Sequence, residues 1–244
     1  MEEQEVVCCS IFNYYEYFQK QFLTDCELHM HAEQGGPVTE VIRAHKIILS
    51  NTSDFFHDAF TSGMQETVSG EVDIYDNPKN LLPKVIQWMY SGKLNFTLSD
   101  FIPLIHISHT YGIAGLEREL ISFLDNNINS SQILPLVNQC YDLQLPNELI
   151  ILETYIAKFL EELSTQELSD ALDVATFARI VNKTDLDTEA RIVKLNEFLG
   201  DWDPSDSERE ALFSILGNDF NQLRTLVRKY KINWLPQKFL NTCK

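Results

Sequence analysis

Alternation and helical periodicity divide this chain into two differently built parts. Over residues 25–31 apolar Cys26, Leu28 and Met30 alternate with polar Glu27, His29 and His31, the two-residue period of a strand with one buried face. Gly35-Gly36-Pro37 supplies a turn, and residues 38–44 return as the second strand of a hairpin. From Ala44-His45-Lys46 the period changes. Ile47, Ile48, Leu49, Phe55, Phe56, Ala59 and Phe60 recur at helical spacing, which predicts two short helices burying one face and ending at Gly63. Ser50, Thr52, Ser53 and Asp54 lie between the apolar sets, where the N-cap of the second helix is expected. Met64-Gln65-Glu66 is then left at that helix's exit as an apolar residue beside a carboxylate. Val72 and Ile74 alternate with Glu71 and Asp73 as a third strand over residues 70–75. A helix carrying Leu81, Leu82, Val85, Ile86, Met89 and Tyr90 closes at Ser91-Gly92. Another follows Ser99-Asp100 with Phe101, Ile102, Leu104, Ile105 and Ile107 and stops at Gly112. An amphipathic helix over residues 113–128 turns Leu116, Leu120, Ile121, Phe123 and Leu124 inward.

Beyond residues 126–131, Asn-Asn-Ile-Asn-Ser-Ser, strand-like alternation disappears and only helical periods remain. A domain boundary is expected near residue 130, with helices at about 131–142, 146–162, 165–171, 174–182, 186–200, 206–216, 219–229 and 236–242. At the other end residues 1–24 are aromatic, with Phe12, Tyr14, Tyr15, Tyr17, Phe18 and Phe22. Such a segment packs either on its own core as a helix or on a second copy of the protein, and composition leaves both open.

Composition narrows the partners. The 44% hydrophobic content supports a proper core over this length. Nineteen Lys and Arg against 36 Asp and Glu give a net charge of −17, a field that disfavours nucleic acid and anionic lipid and favours a basic partner surface. Five cysteines without a CxxC pair read as free thiols of a reducing compartment rather than a disulfide scaffold or zinc site. The first residues are acidic where a targeting signal is basic, and no apolar run reaches the roughly 20 residues of a membrane span, so a cytoplasmic protein, in the nucleus as well or not, is expected. His29 with His31, and His106 with His109, have spacings a metal could use, but no cysteine or carboxylate joins either pair in a recognisable sequence spacing. Nothing near Cys8-Cys9 supplies a cation to activate a thiol. With no phosphate loop, nucleophile elbow or dinucleotide fingerprint, neither an enzyme nor a cofactor or metal is expected.

Two strands, two short helices, a strand and three helices, with Asp25 and Leu28 at the first strand and Ala44-His45-Lys46 at the exit of the second, resemble the BTB (POZ) domain. Leu49, Ser53, Phe56, Phe60, Tyr90, Gly92, Tyr111 and Leu116 carry the same resemblance, which spans about residues 20–128. Residues 130–244 are similar, through Leu163, Leu168, Leu186-Asp187-Thr188-Glu189, Trp202, Arg209 and Leu226-Val227-Arg228, to the helical BACK domain that follows BTB in many adaptors. The implied organisation is an N-terminal dimerisation segment over residues 1–24, an α+β BTB/POZ domain over 25–129 and an all-α BACK-like domain over 130–244.

The resemblance implies a homodimer that links a substrate to a cullin-3 ubiquitin ligase, or else a dimeric scaffold or transcription-associated module without a ligase role. In the adaptors an apolar-x-Glu motif after the second short helix meets the cullin N-terminal region, and Met64-Gln65-Glu66 matches it in sequence and place. Phe60 and Tyr111 can add aromatic area there, although both also fall on buried helical faces. Asp25 and Lys46 match two charged positions that lie together near the family's dimer interface, where opposite charges need to be paired. Residues 11–23, with Phe12, Tyr14, Tyr15, Phe18 and Phe22, resemble the dimerisation helix, and residues 5–9 a leading strand that pairs with the partner subunit. The loop at residues 32–39 is longer than the usual hairpin. Neither kelch repeats nor a MATH motif occurs in these residues, so substrate recruitment falls to the helical part, to another subunit, or to nothing at all.

Overall fold

The computed structural model describes residues 4–7 by their backbone course, and residues 14–217 and 219–243 in full. The chain forms two compact units, Met1–Ile128 with Gln139–Glu148, and Asn129–Asn138 with Leu149–Lys244.

In the first unit β2 (Cys26–His31) and β3 (Val38–Ala44) form the expected antiparallel hairpin, and β4 (Glu71–Ile74) lies parallel to β2 on its other side, giving the order β3-β2-β4. A second, two-stranded sheet joins β1 (Gln4–Val7) to β5 (Lys93–Phe96) in antiparallel register, Gln4 opposite Phe96. The leading strand thus pairs within its own chain here, and Cys8 and Cys9 lie outside the described residues. Between the strands run α1 (Tyr15–Gln19), α2 (Lys46–Thr52), α3 (Asp54–Thr61), α4 (Gln65–Ser69) and α5 (Leu82–Ser91), and after β5 follow α6 (Phe101–Thr110) and α7 (Ala114–Asn127). The Ser53 hydroxyl accepts from Phe56 N–H as the N-cap of α3 and donates to Tyr111 O at 2.5 Å, fixing α3 to the end of α6. Helix α6 is apolar nearly all round and is the central helix, with Phe101, Ile102, Leu104, Ile105 and Ile107 buried. Each such fully buried side chain contributes about 1.5–3 kcal/mol. On α7 Leu116, Leu120 and Leu124 are buried, while Ile121 and Phe123 are half-buried.

The aromatic leader packs partly on this same core. Phe18 stacks on Tyr90 with ring centroids 4.6 Å apart, and Gln87 Nε2 donates to Tyr15 Oη at 2.7 Å. The Tyr90 hydroxyl also accepts from His45 N–H at 2.7 Å and meets His45 Nδ1 at 2.9 Å, while His45 Nε2 lies 2.8 Å from Phe22 O. With Nε2 protonated the ring donates to the leader and accepts from the tyrosine, so His45 ties the leader to the turn before α2.

The remaining helices are α8 (Ser130–Asp142), α9 (Leu149–Lys158), α10 (Thr165–Ala171), α11 (Val174–Asn182), α12 (Thr188–Leu199), α13 (Asp206–Ser214), α14 (Phe220–Tyr230) and α15 (Gln237–Leu240). The division between units falls inside α8. In the second unit side-chain N-caps start α10 to α14 from Ser164, Asp173, Asp187, Ser205 and Asp219. Phe177 stacks on Phe198 at 3.9 Å. The buried carboxylate of Glu153 is met by Arg179 and Lys183, both at 2.8 Å.

Candidate functional site

The apolar-acidic tripeptide sits on a short, braced projection. Helix α3 ends at Thr61, and Gly63, at φ +79°, takes the left-handed conformation that turns the chain into α4. The Thr67 hydroxyl accepts from Gly63 N–H and donates to Ala59 O, both at 3.1 Å, so one side chain closes the turn onto the helix before it. Thr67 N–H donates to Met64 O at 3.1 Å. At the far end Lys46 Nζ donates to Thr67 O at 3.1 Å, a cation on carbonyls at a helix C-terminus, and lies 5.2 Å from the centre of the Phe60 ring. Gly70, at φ +74°, returns the chain to β4 so closely that a Cβ there would stand 2.9 Å from Asp25 O and 3.3 Å from Lys46 Cε.

Met64, as N-cap residue, is 65% exposed, and Val68, one turn later, is 87% exposed. Residues four apart share a helical face, so two apolar side chains stand together in solvent. Gln65 is exposed, and Glu66 is half-buried in the first turn. Helix α4 and Val68 escaped the sequence reading: Gln-Glu-Thr-Val-Ser has a single apolar residue, and the only available signal was the Met64–Val68 spacing.

Other anticipated residues lie differently. Phe60 and Tyr111 are buried: Phe56 lies between them in a stack, 6.2 Å from Phe60 and 6.0 Å from Tyr111, and the Tyr111 hydroxyl donates to Asp76 O at 2.6 Å. They shape the core beneath the projection rather than its surface, which corrects their assignment as contact residues. The expected Asp25–Lys46 ion pair is corrected as well. The Asp25 carboxylate accepts from the backbone N–H of Lys46 at 2.7 Å, capping α2, while the Lys46 ammonium reaches Thr67. Asp25 is exposed in the single chain. Of the leader residues, Tyr14 and Phe22 are exposed beside Tyr17 and Leu23, Tyr15 and Phe18 are half-buried, and Phe12 lies outside the described residues. Tyr17 bridges Tyr14 at 6.4 Å and Phe22 at 5.8 Å, forming one aromatic surface.

The histidines meet carboxylates that sequence spacing could not show. His31 Nε2 lies 2.8 Å from Asp73 Oδ1, and this partner raises its pKa. His106 has Glu148 Oε1 3.0 Å from Nδ1 and Asp76 Oδ2 2.8 Å from Nε2, and its pKa is raised chiefly by Glu148. Among the described residues no group of three or more His, Cys, Asp or Glu is arranged to hold a metal ion. Burial pushes the Cys26 and Cys140 thiols up to about 12. Among the described residues no helix is long and apolar enough to cross a membrane.

Comparison with known proteins agrees with this geometry. The BTB/POZ domain family model matches residues 14–128. Kelch-like protein 7 of Homo sapiens is 22% identical over 149 residues, which is 61% of this chain and 25% of that protein. Kelch-like protein 17 of Mus musculus is 24% identical over 143 residues, 57% and 21% of the two chains, and Kelch-like protein 40b of Danio rerio 21% over 203 residues, 76% and 32%. The last match is too long to end at residue 128 and reaches into the helical unit. The chain spans between 21% and 32% of the length of these relatives. Together the strand order, the Ser53 and His45 contacts and the family match identify residues 14–128 of this chain as a BTB/POZ domain.

Proposed function

We propose that this chain is a homodimeric BTB-BACK adaptor that links a protein substrate to a cullin-3 ubiquitin ligase. The observation that carries the reading is Met64: an apolar side chain held in solvent, with Val68 one turn on and Glu66 in the first turn between them, on a turn braced by Thr67 and Lys46. A pre-positioned apolar anchor lowers the ordering cost of association, and a carboxylate at its rim favours one docking direction. The Kelch-like relatives support an interaction role. Calorimetric titration with the cullin-3 N-terminal region, using wild-type protein and the Met64→Ala, Glu66→Ala double variant, tests it.

Dimerisation rests on the Tyr14, Tyr17, Phe22 and Leu23 surface, which is costly to leave in water. Light scattering at micromolar concentration is expected to give a dimer, and Phe22→Asp with Tyr17→Asp a monomer. A wild-type monomer would remove this part of the reading. The same dimer surface equally serves a scaffold without a ligase role, and the cullin titration separates the two.

A further inference from the structure

The helical unit presents Trp202 to solvent beside an apolar groove. Helix α12 ends at Gly200, and the following turn places Trp202 64% exposed, whereas Trp88 and Trp234 are buried. The turn is built, not loose. Trp202 N–H donates to Leu199 O at 2.7 Å; Arg209 donates from Nε to Pro204 O at 2.9 Å and pairs with Asp203; Ser205 and Glu208 form a capping box at the start of α13. Beside Trp202 is a groove of about 400 Å³ floored by Leu172, Val174, Phe198 and Leu199, with Asp173 and Glu208 on its rim. All of these residues belong to the second unit.

The electrostatics select an occupant. Asp201 and Asp203 flank Trp202 in sequence, and Asp206 follows at the first position of α13. Arg209, the one basic residue of 201–210, is consumed by Pro204 O, Asn233 O and Asp203. An apolar slot with an exposed tryptophan on its lining, two carboxylates on its rim and more beside that tryptophan in sequence complements a cationic chain bearing an apolar side chain. The net charge of −17 reinforces that selection at longer range. We propose that this groove docks a basic peptide segment, its apolar anchor seated on Leu172 and Phe198 against Trp202 and its Lys or Arg side chains facing the acidic rim. The inference rests on the adaptor reading, for which it names the class of substrate, but its test involves no cullin.

A random-peptide phage library is panned on the immobilised full chain with counter-selection on the Trp202→Ala protein. An enriched peptide is then labelled and titrated by fluorescence anisotropy. Enriched sequences should combine an aromatic or aliphatic residue with Lys or Arg. Trp202→Ala should weaken binding at least about tenfold with an unchanged circular dichroism spectrum, as truncation of an aromatic anchor does. The doubly neutralised Asp201→Asn, Asp206→Asn protein should bind more weakly, with a smaller salt dependence. No enrichment over the Trp202→Ala protein, acidic or uncharged consensus peptides, or equal affinity for the variants would overturn the proposal. If the groove is instead filled by the Trp202 side chain itself or by a second copy of the chain, the result is the same absence of enrichment, and the proposal fails. Cullin binding by the Trp202→Ala protein, measured separately, keeps failure here distinguishable from failure of the adaptor reading.

Discussion

Replacing Glu148 by Gln changes a single charge at a buried point where two imidazoles converge. Glu148 is 3% exposed, with Oε1 3.0 Å from His106 Nδ1 and Oε2 2.8 Å from His109 Nδ1. The outer nitrogens face carboxylates too, Asp76 at 2.8 Å from His106 Nε2 and Glu117 at 3.3 Å from His109 Nε2, and Thr110 Oγ1 lies 3.3 Å from His106 Nε2. The His109 contact is close but not aligned as a hydrogen bond, so His106 carries most of the coupling. Removing one partner of a fully buried pair costs about 3–5 kcal/mol. Here the imidazoles are 19% and 37% exposed and can regain water, and glutamine keeps the shape and one acceptor. We therefore expect a loss of about 2 kcal/mol at pH about 6.

The pH dependence follows from the direction of the His106 shift. Its folded pKa is raised by Glu148 and Asp76 above the unfolded value of about 6.5, so its stabilisation is complete below that value and is lost as pH rises through the folded pKa. The difference between wild type and Glu148→Gln should shrink accordingly towards pH about 9. Hydrogen exchange of peptides within residues 101–110, read by mass spectrometry at several pH values, gives the local opening free energy directly. A difference that is independent of pH, or larger at alkaline pH, would refute the reasoning.

Other outcomes follow from the same contacts. Gly70→Ala should destabilise by at least about 2 kcal/mol in thermal melts, because φ +74° and a Cβ 2.9 Å from Asp25 O act together. Gly35→Ala, at φ +78° with nothing within 4 Å, should cost only about 1 kcal/mol. With thiols held at about 12, Cys26 and Cys140 should resist alkylation at pH about 8 in the folded protein and label only under denaturant, as mapped by mass spectrometry.

Much of the fold was legible because the burial faces repeat locally. Leu49, Phe56 and Phe60 mark buried faces of the paired short helices, Ser53 is both cap and cross-link, and Val72 and Ile74 alternate cleanly in their strand. Strand β5 was overlooked because Leu94 and Phe96 are its only buried pair over four residues. Helix α4 is held by a lysine 21 residues away rather than by its own pattern, which no window of periodicity reveals. For the same reason Asp25 and Lys46 were matched as a pair from their positions, while their actual contacts run through a backbone amide and a distant carbonyl. Glu148 was invisible as the partner of His106 because 42 residues separate them. The candidate tripeptide was visible in sequence, but its exposure, the Val68 beside it and the bracing that presents it depend on tertiary contacts.

The adaptor account stands or falls on the titration of cullin-3 N-terminal region into the purified chain. The account predicts saturable binding with one cullin per protomer, a loss of about 2 kcal/mol or more for Met64→Ala, and a smaller loss for Glu66→Ala. Absence of binding by the wild-type chain, or binding unchanged in the Met64→Ala, Glu66→Ala protein, would contradict it.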